Sequence, residues 1–222
     1  MSCRQCCEGA GPLGSRNRRA ARASFYSLAD DTHHSFPEWA PVVIGLRYIH
    51  GCTRCPQILH KLCTQKGPDM ARVTDVARYI LAKKGPMTAM KLQKLVYYSQ
   101  AWHLVFDGHP LFDSRIEAWA NGPVVRELYR AHRGKYALRP EDLLGDPSAL
   151  KPSEATTIDA VLDAYNHLDA TQLSVLSHSE RPWIDARAGL ADGERGEAEI
   201  TTASLLEYFE DLHRQQLAQH QV

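Results

Sequence analysis

All six cysteines of this 222-residue chain lie before Met70: Cys3, Cys6, Cys7, Cys52, Cys55 and Cys63. The rest of the chain contains none. Whatever folds after Met70 must therefore hold together without disulfides, and nothing in it points to an oxidising compartment. A segment of that length can bury roughly 70% of the surface its unfolded chain exposes, enough for a core that needs no covalent or metal staple. Residues 70–222 are accordingly expected to form one domain. Residues 1–69 read differently. SCRQCCEGAGPLGSRNRRAARAS is rich in Gly, Arg and Ser without sustained periodicity, and TQKGPDM is a loop signal. This stretch is expected to be a disordered leader, or upstream sequence translated from a mis-assigned start codon with Met70 as the natural start.

The change of character after Met70 is one of periodicity. Thr74 or Asp75 can cap a first helix that carries Val76, Ala77, Ile80 and Leu81 and stops at Gly85-Pro86. Thr88 caps a longer second helix whose stripe runs Leu92, Leu95, Val96, Ser99, Trp102, His103 and Phe106, ending at Asp107-Gly108. Residues 115–120 alternate weakly as a short strand. Asn121-Gly122 turns the chain, and Pro123 suits the first position of a third helix with Val124, Val125, Leu128 and Tyr129. Further helices follow from caps at Ser153, Asp169 and Thr201 or Thr202, with a short turn of helix opening at Pro182-Trp183. The predicted fold is mainly α, a compact bundle of about six helices with a short strand or hairpin before the Gly-Pro-Val turn. Its expected core includes Leu92, Leu95, Trp102, Val124, Leu128, Leu173, Trp183 and Phe209.

Charge narrows the function. Residues 1–69 hold nine Lys/Arg and five Asp/Glu, which leaves 17 basic against 21 acidic residues in the remainder. A mildly acidic domain has no bulk attraction to phosphate backbones. No run approaches the ~18–20 apolar residues of a membrane span, and the N-terminus lacks the apolar centre of a secretory signal. A cytoplasmic location is expected.

Four motifs invite chemistry. Cys3-x-x-Cys6 and Cys52-x-x-Cys55, with Cys63, His50 and His60, have the ligand types of a zinc set, but the pairs are far apart in unpatterned sequence and Cys7 is left over. Ser177-His178-Ser179-Glu180 suggests a hydrolase, yet no nucleophile elbow or oxyanion site accompanies it. The first two helices resemble a helix-turn-helix opening, with Lys91, Gln93, Lys94 and Gln100 as readers of bases, against which stand the aromatic stripe and the missing basic face. Tyr97, Tyr98, Trp102 and Trp119 are either core or interface anchors. No catalytic residue, metal ligand or cofactor is assigned.

Three segments carry a family resemblance: KLQKLVYYSQAWHLVFDGHPLF (residues 91–112), EAWANGPVVRELYRAHRG (117–134) and LSVLSHSERPWIDAR (173–187). A Leu-Gln-Lys-Leu helix (Leu92 to Leu95), Trp119 followed by Gly122-Pro123-Val124, and His178 before Pro182-Trp183 together resemble the SocA-like Panacea domain family. The resemblance implies a non-enzymatic antitoxin of a two-gene toxin–antitoxin system. It would bind a toxin encoded nearby, with delivery to a AAA+ protease as a further role in one branch of the family. It fixes no oligomeric state. The polar and turn positions within the matching segments, Gln93, Lys94, Asn121, Gly122, Pro123 and His178, with Trp119 at their edge, are the expected partner-binding face. A transcriptional regulator using the helix-turn-helix-like opening is the alternative.

Overall fold

A computed structural model describes residues 70–191 and 193–219. The leader and its cysteine pairs, including the zinc candidates, lie outside the described residues. Among the described residues there are seven α-helices: α1 (Val73–Lys84), α2 (Ala89–Asp107), α3 (Arg126–His132), α4 (Pro152–Tyr165), α5 (Ala170–His178), α6 (Arg181–Ala186) and α7 (Thr202–Gln219). Two small antiparallel pairs join them. β1 (Met87–Thr88) pairs with β4 (Ala137–Leu138), and β2 (Ile116–Trp119) forms a hairpin with β3 (Gly122–Val125). The mainly helical expectation holds. Among the described residues no helix is long and apolar enough to cross a membrane.

Helix α2 organises everything else. Thr88 caps it by accepting from Lys91 N at 3.2 Å, and Gly108 ends it in the left-handed region at φ 71°. From Leu92 through Leu104 every residue is buried, because α1, α4, α5, α7 and β3 surround it. The single apolar stripe read from the sequence is thus too narrow: a helix enclosed on all sides also buries its polar residues. Trp102, fully buried, donates to the Tyr165 hydroxyl at 3.0 Å and packs between Phe106 and Phe209. Leu92, Leu95, Leu128, Leu173 and Phe209 take their expected core places.

Several local readings need correction. Pro123 does not start α3. It pairs with Ala118 within β3, and α3 begins only at Arg126. Extended backbone is favoured there because α2 supplies its hydrogen bonds: Gln93 Oε1 accepts from Val125 N at 2.9 Å and Lys94 donates to Pro123 O at 3.1 Å. Val124 is consequently only half-buried, on the outer side of the strand, while Val125 points to the core. Trp183 is also half-buried, packed at the margin of the core. Helix α1 is preceded by Arg72, with Asp75 inside its first turn rather than capping it. Helix α4 opens on Pro152 instead of after Ser153, and the Glu154 carboxylate accepts from Lys151 N at 2.8 Å. Asp169 caps α5 as expected, and Thr201 accepts from Ser204 N before α7.

Candidate functional site

The three segments singled out in the sequence meet. The hairpin lies across the N-terminal half of α2, and α5 closes over the Asn121-Gly122 corner. Lys94 is 1% exposed, and its ammonium donates to Asn121 O at 2.8 Å and to Pro123 O at 3.1 Å. Ser174 Oγ donates to the same Asn121 carbonyl at 3.1 Å. Gly122 has φ 96°, and a Cβ there would collide with Lys94 Nζ and come within 2.9 Å of Ser177 Oγ. Glycine is therefore required twice over, for conformation and for space. Gln93, beside Lys94, brackets Val125 and contacts His132 Nε2 at 2.9 Å.

Beneath the corner sits a buried acid that the sequence reading placed in a possible catalytic relay. Glu180 accepts from Tyr97 at 2.8 Å and from Tyr98 at 2.9 Å. Burial pushes its pKa up to about 7, against the two tyrosine hydrogen bonds and the Lys94 charge that favour the anion. Burial likewise presses Lys94 down to about 7, with Glu180 opposing. Both tyrosines are held well above their ordinary pKa, first by burial and then by Glu180. With its two oxygens engaged by tyrosines, Glu180 does not orient His178. Ser177 Oγ donates to Ser174 O at 3.0 Å, and His178 stacks on Trp183 at 4.2 Å between ring centroids. The Ser-His-Glu run is not a relay. His178 is half-buried, and its pKa is lowered by burial, Lys94 and Arg187.

The outer face of the same hairpin is a groove of about 510 Å³. Trp119 and Tyr129, edge to face at 4.7 Å, form one wall. Arg126, Arg130, Arg133 and Arg195 also line it, and among the described residues no carboxylate does. Glu117, buried behind, accepts from Trp119 Nε1 and from Arg126, each at 2.8 Å, and so fixes both. Trp183 Nε1 donates to Trp119 O at 2.9 Å, which ties α6 to the same edge. Of the predicted face, Asn121 is exposed, Trp119 and His178 are half-exposed, and Gln93, Lys94, Gly122 and Pro123 are buried under it. The helix-turn-helix reading loses its recognition element: Gln93, Lys94 and Gln100 are enclosed, and Lys91 donates to Asn166 O at 2.7 Å.

The sequence reading missed Glu180 as the partner of Tyr97 and Tyr98. The signal was present, since an uninterrupted helix with several polar residues needs buried partners from elsewhere. It also missed the arginine lining, which comes from two separate segments.

These features define a small, mainly helical domain in which a buried polar centre holds a hairpin and the hairpin's outer edge forms a basic, aromatic groove. A family model described as Antitoxin SocA-like, Panacea domain matches residues 92–184, the span from α2 into α6. Antitoxin SocA of Caulobacter vibrioides (strain NA1000 / CB15N) is 32% identical over 132 residues, covering 52% of this chain and 70% of that protein. The chain belongs to the SocA-like Panacea domain family of antitoxins. No solved structure matches it.

Proposed function

We propose that this chain neutralises a cognate toxin by direct protein–protein contact, and that an acidic segment of the toxin docks in the groove beside Trp119. The observation that carries this reading is the charge contrast. Among the described residues four arginines and no carboxylate line the groove, on a segment that as a whole carries 21 acidic against 17 basic residues. Arg126 and Arg195 are paired with Glu117 and Glu197, whereas Arg130 and Arg133 are exposed and without an ion-pair partner among the described residues. Guanidinium groups beside aromatic rings are the usual anchors of protein interfaces, and arginine suits bidentate recognition of carboxylates. Gln93, Lys94 and Gly122 serve here by positioning the hairpin and touch no partner themselves.

The test co-expresses the neighbouring reading frame with the wild type, with Arg130→Glu/Arg133→Glu, and with Trp119→Ala. Neutralisation and complex formation should be lost in both variants while the charge-reversed protein melts as the wild type does. Full neutralisation by the charge-reversed variant would overturn the docking site. A neighbouring frame that is harmless without this gene would overturn the toxin reading itself.

A further inference from the structure

Helix α2 buries Gln93, Lys94, Ser99, Gln100 and His103, and all but one find partners. Ser99 Oγ donates to Leu95 O at 2.8 Å, and Gln100 Oε1 accepts from Leu111 N and Phe112 N at 2.9 and 3.1 Å. His103 is the exception. Its imidazole is fully buried, and neither ring nitrogen has a hydrogen-bond partner among the described residues. A buried polar group left in that state is costly, and in native proteins it calls for a ligand or an ion.

The neighbours of His103 supply the rest of a site. Asp107 stands one helical turn on, its Oδ2 3.0 Å from His103 Nδ1 without hydrogen-bond geometry. Gly108, in the left-handed conformation, then reverses the chain and brings His109 back, its ring 4.9 Å from that of His103. One ligand atom from each of His103, Asp107 and His109 lies within 4.8 Å of the others. His109 Nδ1 lies 3.3 Å from Pro110 O, and Thr157 Oγ1 reaches Asp107 Oδ2 at 3.4 Å. Such outer contacts orient metal ligands.

We propose that His103, Asp107 and His109 form a three-ligand site for a divalent transition-metal ion, zinc above all, with water completing the coordination on the exposed His109 side. Two imidazoles and one carboxylate are the ligand set of open tetrahedral zinc sites. Calcium and magnesium would require oxygen ligands in greater number. Burial presses His103 down to about 4, so the imidazole is neutral and ready to ligate at physiological pH. Against the ion act the nearby Lys151 charge and the single carboxylate, which set a modest affinity. The site lies at the opposite end of α2 from the arginine groove and does not depend on the toxin reading.

The test uses the full chain with its thiols alkylated; every cysteine precedes Met70, so alkylation leaves the site untouched. Equilibrium dialysis against zinc should give one ion per chain, and melting should rise by roughly 5–10 °C at a hundred-fold excess over Kd. Cobalt should give visible bands without thiolate charge transfer. His109→Ala, at an exposed position, should melt normally without metal and bind zinc roughly ten-fold or more weakly. Asp107→Asn should weaken binding similarly. No zinc on the alkylated wild type, or affinity unchanged in both variants, would overturn the site.

Discussion

Replacing Glu180 by Gln should cost stability in a way that depends on pH, and the dependence follows from burial. The acid is 3% exposed and is held at about 7 rather than its ordinary 4.5. Between those values the folded protein binds more protons at this site than the unfolded chain does. Its contribution is therefore largest in acid and is lost as pH rises through about 7. At about 1.4 kcal/mol per pKa unit, the loss between pH 5 and pH 8 comes to about 2–3 kcal/mol. Glutamine cannot titrate, so the variant lacks this decline. Removing the carboxylate also depresses Lys94 further, which acts in the same direction. The burial-lowered histidines, His103, His132, His178 and His213, gain stability over much of the same range, but they are common to both proteins and cancel in the difference. Urea unfolding at stepped pH should show Glu180→Gln most damaging near pH 5 and less so by about 2–3 kcal/mol at pH 8. A cost that is flat with pH would show that Glu180 titrates ordinarily. A cost that grows with pH would show that Lys94 and the tyrosines outweigh desolvation.

Gly122→Ala should lower stability by roughly 2–4 kcal/mol, from a strained positive φ and the displaced Lys94 ammonium, read as a shifted urea midpoint with unchanged slope. Trp102→Ala empties the centre of the aromatic cluster and should cost ~3–5 kcal/mol; wild-type melting would contradict its burial. Asp169→Ala removes the α5 cap and should cost ~1 kcal/mol, leaving cooperative unfolding intact.

Helix ends were legible where a single residue does the work. Thr88, Asp169 and Thr201 cap as their side chains dictate, and Gly108 ends α2 as glycine should. The hairpin's second strand was not legible, because Pro123 before a helix-forming run is locally a good helix start. Only Gln93 and Lys94, reaching from 29 to 32 residues away, make the extended backbone cheaper. The same limit hid the site. The residues that meet at the corner were visible, but their burial was not, since one sequence stripe cannot reveal how many elements will surround a helix. Trp183 illustrates the converse: a large aromatic read as core lies at the margin, where its indole N–H is needed by Trp119 O.

Arg187 donates to Ala118 O at 3.1 Å, Ala191 O at 3.2 Å and Glu194 O at 2.8 Å, so one guanidinium pins both sides of a surface loop to the hairpin. The chain then rejoins the hairpin through Ala118 N to Ala198 O and Ile200 N to Ile116 O, at 2.8 and 2.9 Å. Between these two attachments the loop is held by side chains as well: Glu194 accepts from Ala191 N at 3.0 Å, and Arg115 donates to Glu197 O at 3.0 Å. Gly196 is fixed there, since a Cβ would come within 2.9 Å of Ala118 O, but the exposed Arg195, whose partner is Glu197 on the same loop, can be exchanged without repacking a helix. A rim side chain such as Arg195 can thus change while the frame that holds the hairpin stands still.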